Sequence, residues 1–384
     1  NQVMDDLGNF PYLATYGTNS SYNYLINGSK PVIVKAPGLV ASDFTWETVT
    51  QMDFGFDASF LNNRLTGTFD WYRRNTKDML VAGATLPATL GASVPKSNSA
   101  DMKTIGWELS LGWNDRLENG FSYWVKGVLS DYQATITKYA GNDAGFYSQS
   151  DGDGKYYVGQ KIGEIWGYHS NGLFQSDDEA ATIDQSELYA GKWGAGDVKY
   201  EDLDGDGKIT KGEETIYNPG DKSIIGNKTP RYQFGITVGF DYKNFDFEMF
   251  WQGTGKRDYM LSGAQFWGFT SQWDVPYTPA LDYWTETNTD AYFPRPGWQN
   301  GGNRVTSDRY LQSAAYGRLK NLTVGYTIPK NLTTKWGISR LRLYVTGENL
   351  LTITPLNDAF DPETLGGLTY PINRKVAIGL NLTL

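Results

Sequence analysis

Cysteine is absent from the 384-residue chain, and histidine occurs once, as His169. Without cysteine the chain can form no disulfide, offer no thiolate nucleophile and hold no zinc ribbon or iron–sulfur cluster. A single histidine also excludes metal sites that need two imidazoles on one helix face. These absences exclude disulfide-bonded, zinc-ribbon and iron–sulfur proteins, enzymes with a cysteine nucleophile and sites with paired histidine ligands.

Positive charge and long apolar runs are also scarce. There are 34 Lys and Arg residues against 43 Asp and Glu residues, a formal net charge of −9. Because nucleic acid is bound through a basic surface, this balance predicts no nucleic-acid partner. No hydrophobic run approaches the ~20 residues of a spanning helix. Residues 1–8 have neither a basic region nor an apolar stretch, so we expect a mature chain, a cytoplasmic chain or a piece of a longer protein.

Apolar and polar residues alternate with a period of two in nine segments, a pattern typical of β-strands with one apolar face. The segments are 52–60, 65–72, 107–113, 121–129, 234–242, 245–251, 322–328, 341–345 and 376–384. Charged residues such as Asp53, Glu108 and Asp241 fall on the polar phase. A soluble β-sandwich alternates in the same way, so alternation alone leaves a sandwich and a barrel both open.

Short and long connections alternate along the chain. The short links are 61–63, 115–120, 243–244 and 329–339, and the long connections cover about 1–43, 81–102, 139–230, 253–317 and 354–372. Tight turns then lie at one end of the sheet and long loops at the other, as in outer-membrane barrels with long extracellular loops. Aromatic residues gather at the short-turn end, which matches an interfacial girdle. The odd strand number favours one part of a larger barrel, because bacterial barrels have even counts.

Motifs along the chain then resemble one family of transporters. They include Phe44-Thr45-Trp46-Glu47, Gly106-Trp107-Glu108-Leu109, Asp202 to Gly207, Arg318-Leu319-Lys320-Asn321-Leu322-Thr323 and Gly347-Glu348-Asn349-Leu350. In this order they resemble the SusC/RagA family, the TonB-dependent outer-membrane transporters of Bacteroidetes. The resemblance extends over nearly the whole chain.

The resemblance implies an all-β fold, an antiparallel transmembrane β-barrel. Residues 1–384 would be the C-terminal portion of one barrel domain, about nine of its 22 strands, and the plug domain of the lumen would lie outside this chain. The implied function is import of glycan or peptide fragments across the bacterial outer membrane, with the loops at the cell surface. The implied partners are a SusD-like surface lipoprotein, outer-membrane lipid, and TonB through parts of the protein not in this chain.

The segment Asp202 to Glu213 matches the twelve-position calcium-binding loop, with carboxylates at positions 1, 3, 5 and 12 and glycine at position 6. The predicted ligands are Asp202, Asp204, Asp206, Lys208 through its backbone carbonyl, Thr210 and Glu213. We expect Ca²⁺ there in a structural role, ordering the loop 139–230. The alternative is a solvated acidic turn.

Aromatic residues are dense in the loop 253–317. Trp267, Trp273, Trp284 and Trp298 are candidates for contact with substrate or a partner, because flat aromatic faces stack on sugar rings. The alternative for each of them is packing within the loop.

Recognisable catalytic motifs are missing. No G-x-S-x-G, Walker A or dinucleotide-binding motif occurs, so the sequence predicts that the chain is not an enzyme. Two functions besides transport stay open at this point. One is a secreted calcium-bearing β-sandwich that binds carbohydrate or acts as an adhesin. The other is a β-rich hydrolase, which needs two loop carboxylates ~5–9.5 Å apart.

Overall fold

The chain folds mainly into β-strands in a computed structural model. The structure describes residues 12–19, 25–30, 32–42, 44–82, 87, 89, 91–92, 94–140, 142, 145–146, 156–365 and 370–384. Within these residues the strands are β1 (Gly17–Asn19), β2 (Ile33–Lys35), β3 (Thr48–Phe60), β4 (Leu65–Ala82), β5 (Lys96–Arg116), β6 (Ser122–Tyr139), β7 (Glu164–Tyr168), β8 (Ser170–Leu173), β9 (Val198–Tyr200), β10 (Lys222–Asn227), β11 (Arg231–Tyr242), β12 (Phe245–Lys256), β13 (Asp258–Met260), β14 (Leu311–Ser313), β15 (Tyr316–Thr327), β16 (Arg340–Ile353) and β17 (Lys375–Thr383).

Helices are few and short among the described residues. They are α1 (Asp177–Ala180), α2 (Ala264–Trp267), α3 (Lys330–Thr333) and the 3₁₀ turns Thr278–Leu281, Gly301–Arg304 and Thr334–Trp336. In the part of the chain that the structure describes, no helix has the length and apolar character needed to cross a membrane.

Nine strands form one sheet, in the order β17-β16-β15-β12-β11-β6-β5-β4-β3. The pairs from β6 to β17 are antiparallel, for example with Ile236 opposite Trp251 and Val324 opposite Val345. The nine strands predicted from the alternation are the nine strands of this sheet, so that prediction is confirmed. The described residues also form four two-stranded sheets: β1-β2 precedes the nine-stranded sheet, and β7-β10, β8-β9 and β13-β14 lie in its connections.

Contacts divide the chain into two units. The first comprises residues 1–52, 73–105 and 134–161, and the second comprises residues 53–72, 106–133 and 162–384. In the first unit the buried Asn98 joins two segments: the Thr45 N–H donates to its Oδ1 at 2.8 Å, and its Nδ2 donates to the carbonyl oxygens of Thr45 and Asp78 at 2.9 and 2.6 Å. These bonds satisfy a polar side chain that would otherwise be costly to bury.

The predicted loop 81–102 is too long at both ends. Strand β4 includes residues 81 and 82, and strand β5 begins at Lys96, so the connection is 83–95. Asn98, Ser99 and Ala100 are buried in β5, although they show no apolar alternation. Here strand pairing and polar contacts, rather than an apolar face, specify the strand. Parts of the predicted loops 1–43, 81–102, 139–230 and 354–372 lie outside the described residues.

In the second unit the sheet has an exposed apolar face. Ile236, Val324 and Val345, on strands inside the sheet, are 40%, 45% and 47% exposed. A sandwich would bury this face under a second sheet. The described residues place no second layer over it, which contradicts the sandwich alternative.

The opposite face of the same strands is polar. Arg342 of β16 pairs with Asp246 of β12 across Gly325 of β15, with the guanidinium 4.8 Å from the centre of the Tyr344 ring. A Cβ atom on Gly325 would overlap both charged groups. The missing side chain of Gly325 therefore lets an ion pair form between strands that are not neighbours.

Aromatic side chains gather near the short turns on the apolar phase. Phe240 stacks on Phe247 with ring centroids 5.1 Å apart, Phe121 stacks on Phe240 at 5.5 Å, and Phe245 lies against Tyr326 at 4.7 Å. These pairs join β11, β12 and β15 at the predicted position of the girdle.

Hydrophobic burial is concentrated in the connections rather than under the sheet. The buried residues that form this cluster, here called the loop core, are Tyr168, Leu173, Val198, Tyr200, Ile209, Leu261, Phe266, Trp267, Phe293, Tyr310, Ala314, Leu356 and Leu365. They come from the three connections predicted as 139–230, 253–317 and 354–372. The long loops of the second unit therefore fold together into a packed body.

Replacement of Gly239 with alanine tests the packing of the polar face. A Cβ atom on Gly239 would overlap the indole ring of Trp124, its partner on β6, whereas a Cβ atom on Gly127 meets no atom within 4 Å. We expect Gly239→Ala to lower the free energy of unfolding by about 1–3 kcal/mol through overpacking, and Gly127→Ala to change it by less than about 1 kcal/mol. Urea unfolding of the full-length protein in detergent measures both, and equal effects would contradict the packing described here.

Candidate functional site

The four candidate tryptophans lie in different surroundings. Trp267 is 9% exposed and meets Tyr310 edge to face, with ring centroids 4.5 Å apart. Trp284 packs against the loop core, and its buried indole Nε1 has no hydrogen-bond partner among the described residues. Trp273 and Trp298 are 83% and 45% exposed. Stacking on a ligand is therefore open to Trp273 and Trp298, whereas Trp267 is placed to hold the loops together.

A buried carboxylate organises the same region. Asp197 is 1% exposed, and it accepts from the guanidinium of Arg295 at 2.8 and 3.2 Å, from Asn303 Nδ2 at 2.8 Å and from the Gly194 N–H at 2.9 Å. Four charge-assisted bonds compensate the loss of water around the carboxylate. The contact joins the two longest loops, since Asp197 and Arg295 are 98 residues apart.

A second charged cluster ties the last loop to the sheet. Arg318 of β15 is 2% exposed and lies 2.6 Å from Asp361 and 3.1 Å from Glu363. Lys320 lies 3.0 Å from the same Glu363. Two cations and two anions make the cluster neutral, so burial of Arg318 leaves no net charge uncompensated. The loop predicted as 354–372 is thus anchored on one side to β15 and on the other, through Leu356 and Leu365, to the loop core.

The predicted calcium loop forms a tight acidic turn. The carboxylate of Asp202 accepts from the Gly205 and Gly207 N–H groups at 2.6 and 2.7 Å. Asp206 accepts from the Lys208 N–H at 2.8 Å. Gly205 and Gly207 have φ angles of +78° and +83°, which a residue with a side chain rarely adopts. The glycines therefore let the chain curl around the Asp202 carboxylate.

Three carboxylates meet at this turn. Oxygen atoms of Asp202, Asp204 and Asp221 lie within 4.8 Å of one another. Asp206 and Glu213, two of the predicted ligands, do not belong to that group of described residues. The sequence pattern did not include Asp221, which lies beyond position 12 of the loop. It is fully buried and accepts from the Leu203 and Thr210 N–H groups at 2.8 and 2.6 Å.

Asp202, which is half-buried, and Asp204, which is exposed, differ in proton affinity. Hydrogen bonds from the Gly207 and Gly205 N–H groups lower the pKa of Asp202. The pKa of Asp204 is raised: the Asp206 N–H lowers it, but desolvation and the negative charges of Asp206, Asp221 and Asp202 outweigh that effect. Negative charge is therefore concentrated at Asp204, where a cation would relieve the repulsion.

This acidic turn is connected to the loop core. Ile209, next to Lys208 in the turn, is fully buried in the loop core. Its N–H donates to the Asp184 carbonyl oxygen at 2.7 Å, and the Asp184 N–H donates to the Gly207 carbonyl oxygen at 3.0 Å. A change in the conformation of the turn would thus move a core residue.

Comparison with known proteins identifies the family of the barrel. The family model described as TonB dependent receptor-like, beta-barrel, matches residues 8–350. TonB-dependent receptor P3 of Formosa agariphila is 30% identical over 97% of this chain and 38% of its own length. TonB-dependent receptor SusC of Bacteroides thetaiotaomicron is 25% identical over 97% of this chain and 35% of its own length.

Solved structures agree on the fold. The structure of the RagAB peptide transporter matches with a TM-score of 0.73 and 21% identity, over 98% of this chain and 39% of that chain. The chain spans less than two fifths of the length of the curated relatives it matches. A sheet of nine antiparallel strands, with the family model matched over most of the sequence, places the chain in the TonB-dependent receptor β-barrel family, as its resemblance to SusC/RagA proteins predicted.

Proposed function

We propose that this chain is part of a TonB-dependent transporter that imports glycan or peptide fragments across the bacterial outer membrane. The observation that carries the proposal is the pair of contrasting faces of the sheet. Apolar side chains such as Val345 remain exposed, and the other face bears ion pairs such as Arg342–Asp246. Outer-membrane barrels present these two faces to lipid and to an aqueous lumen.

The membrane position of the loops follows from that arrangement. The three connections that share the loop core leave the sheet at the end opposite its short turns, and in outer-membrane barrels the long loops are extracellular. We therefore place the loop core at the cell surface and the Phe240–Phe247 aromatic pairs near the periplasmic interface.

The partners are a SusD-like surface lipoprotein and TonB. A lipoprotein that covers the barrel mouth would meet the loops, and the exposed Trp273 and Trp298 are suited to it or to the substrate. TonB would act through parts of the protein that are not in this chain. Transport requires no covalent bond to be broken, which is consistent with the prediction from sequence that the chain is not an enzyme. That prediction stays a prediction.

Replacement of the exposed tryptophans tests the surface role of the loops. We expect Trp273→Ala and Trp298→Ala together to reduce recovery of the co-purifying lipoprotein, or uptake of labelled ligand, by at least about tenfold, because buried aromatic anchors dominate interfaces. The control is Trp336→Ala, since Trp336 is 60% exposed but lies in the short β15–β16 connection. Tagged full-length protein from outer membranes, analysed by mass spectrometry and by uptake assays with glycan and peptide libraries, gives both readouts.

Some results would contradict the proposal. A full-length protein that stays soluble and monodisperse without detergent would favour a secreted protein instead. Uptake that is unchanged when the gene is deleted would exclude import of the ligands tested. An equal loss of lipoprotein recovery in the Trp336→Ala control would show that the tryptophan effect is not specific to the loops.

We further propose that the acidic turn binds Ca²⁺ in a structural role. Carboxylate oxygens are the donors that Ca²⁺ prefers, and flexible extracellular sites of this kind bind weakly, in the 10⁻⁴–10⁻³ M range on the order of magnitude. The residues best placed are Asp202, Asp204 and Asp221. Through Ile209, bound Ca²⁺ would hold the loop core together.

Measured calcium affinities distinguish the ligands indicated by the structure from those predicted by the twelve-position sequence pattern. We expect Asp204→Asn to weaken Ca²⁺ binding by at least about tenfold, since each ligand charge tunes affinity, and Glu213→Gln to change it by less than about twofold. Because Asp204 has a raised pKa, its protonation removes one anion first as the pH falls, so affinity should decline on acidification before Asp202 titrates. Isothermal titration calorimetry measures both effects. A larger loss of Ca²⁺ affinity in Glu213→Gln than in Asp204→Asn would contradict this ligand set and favour the twelve-position loop.

A further inference from the structure

The single histidine of the chain links a serine and an aspartate. His169 Nδ1 lies 2.7 Å from Asp308 Oδ2, and His169 Nε2 lies 2.7 Å from Ser223 Oγ. Both distances are within the range of strong hydrogen bonds. The order, with the carboxylate at Nδ1 and the hydroxyl at Nε2, is that of a serine nucleophile, its general base and the group that orients the base.

The partners determine which ring nitrogen carries the hydrogen. The ionised Asp308 carboxylate can only accept, so Nδ1 of the neutral ring carries the hydrogen and donates it. Nε2 then presents a lone pair, to which the Ser223 hydroxyl donates. This tautomer is the one in which imidazole can remove the proton of a serine hydroxyl.

Backbone pairing holds the three residues in place. His169 directly follows β7, and Ser223 lies on β10, where it is paired with Gly167 of β7. The Tyr168 N–H donates to the Thr306 carbonyl oxygen at 2.9 Å, and the Asp308 N–H donates to the Tyr168 carbonyl oxygen at 3.0 Å. The three side chains thus project from paired segments rather than from free loop ends.

The orientation of the carboxylate is also fixed. Asp308 Oδ1 accepts from the Ser170 N–H at 2.9 Å, which leaves Oδ2 for the imidazole. The side chains of His169 and Asp308 are 34% and 40% exposed. Ser223 is half-buried, and a ligand at the surface of the loops reaches it beside the partly exposed histidine.

We propose that Ser223 is an activated nucleophile that cleaves carboxylic esters, with His169 as general base and Asp308 as its positioning residue. This activity goes beyond the proposed transport function and does not depend on it. It is opposed to the prediction from sequence that the chain is not an enzyme. The sequence motifs for hydrolases could not reveal it, because His169 is 54 residues from Ser223 and 139 residues from Asp308.

The reaction requires only an ester and water. Ser223 Oγ bonds to the ester carbonyl carbon while its proton moves to His169 Nε2. The bond from that carbon to the alcohol oxygen breaks, and the alcohol leaves with the proton from Nε2. Water then attacks the acyl-serine, gives one proton to Nε2, and releases the carboxylic acid as the proton returns to Ser223.

Esters are the substrate class that this partly exposed site fits. An alcohol or alkoxide leaves more readily than an amine, so an ester demands less stabilisation of charge than an amide does. Water around the site weakens electrostatic stabilisation of an oxyanion, because the effect is strongest where water is excluded. A site that rests mainly on general-base activation is therefore suited to an ester.

Covalent labelling tests the nucleophile in the full-length protein in detergent. We expect a fluorophosphonate to modify Ser223, as located by tandem mass spectrometry, and p-nitrophenyl acetate to be hydrolysed. General-base catalysis contributes about 10²–10⁴-fold, so His169→Gln should slow labelling by at least about tenfold. Ser223→Ala should abolish both the adduct at that position and the hydrolysis, whereas alanine at the exposed Ser262 should change neither.

Asp308 is tested by its effect on the base. Asp308→Asn should slow labelling by about tenfold and Asp308→Glu should recover part of the rate, since a carboxylate is again available to Nδ1. Circular dichroism confirms that each variant is folded. The proposal is overturned if no adduct forms on Ser223, or if Ser223→Ala hydrolyses the ester as fast as the unchanged protein.

Discussion

The structure depends on one constraint: backbone N–H and C=O groups that cannot reach water beneath an apolar face must pair with each other. The central strands of the second unit expose apolar side chains on one face and form ladders with both neighbours, each interrupted at most once, by the register shifts at Phe250/Trp251 and Leu319/Asn321. In lipid, an unpaired N–H or C=O group costs several kcal/mol by order of magnitude. Long strands in an unbroken antiparallel order meet this requirement, and short strands with open edges would not.

The same constraint explains where the hydrophobic core lies. A sheet whose apolar face stays exposed buries few apolar residues of its own. The chain instead buries them in the connections, where Tyr200, Phe266 and Tyr310 are fully enclosed. The Arg318–Asp361 contact then attaches this packed body to strand β15. The loops can present fixed sites to solvent because they have a core of their own.

The sequence predicted the strands well because alternation is a local signal. Each residue of 234–242 faces one side or the other, whatever its neighbours in space, so nine strands could be recognised one at a time. The polar start of β5 was missed for the same reason: Asn98 and Ser99 do not alternate, and their burial comes from contacts such as the one to Thr45. The family could be predicted because its motifs occur in order over nearly the whole chain.

The sites were predicted only in part, because they combine distant residues. Asp202 and Asp204 belong to one short loop, but Asp221 joins them through the fold and no spacing rule includes it. The density of aromatic residues in the loop made Trp267 and Trp273 equal candidates for ligand contact. Only the packing in the structure shows that Trp267 is enclosed and Trp273 exposed. The Ser223–His169–Asp308 contact requires β7, β10 and the segment before β14 to come together, which a linear motif cannot express.

The most direct test measures which solvent, lipid or water, each face of β15 contacts. The 384 residues contain no cysteine. Single cysteines at positions 323 and 324 can be spin-labelled in lipid in a full-length protein from which any cysteine outside these residues has been removed. Thr323 hydrogen-bonds Thr346 on the polar face, and Val324 is 45% exposed on the apolar face. We expect a label replacing Val324 to collide mainly with oxygen dissolved in lipid, and a label replacing Thr323 to collide mainly with a water-soluble nickel complex. A label at Val324 that is shielded from oxygen, or reached equally by the nickel complex, would contradict this expectation.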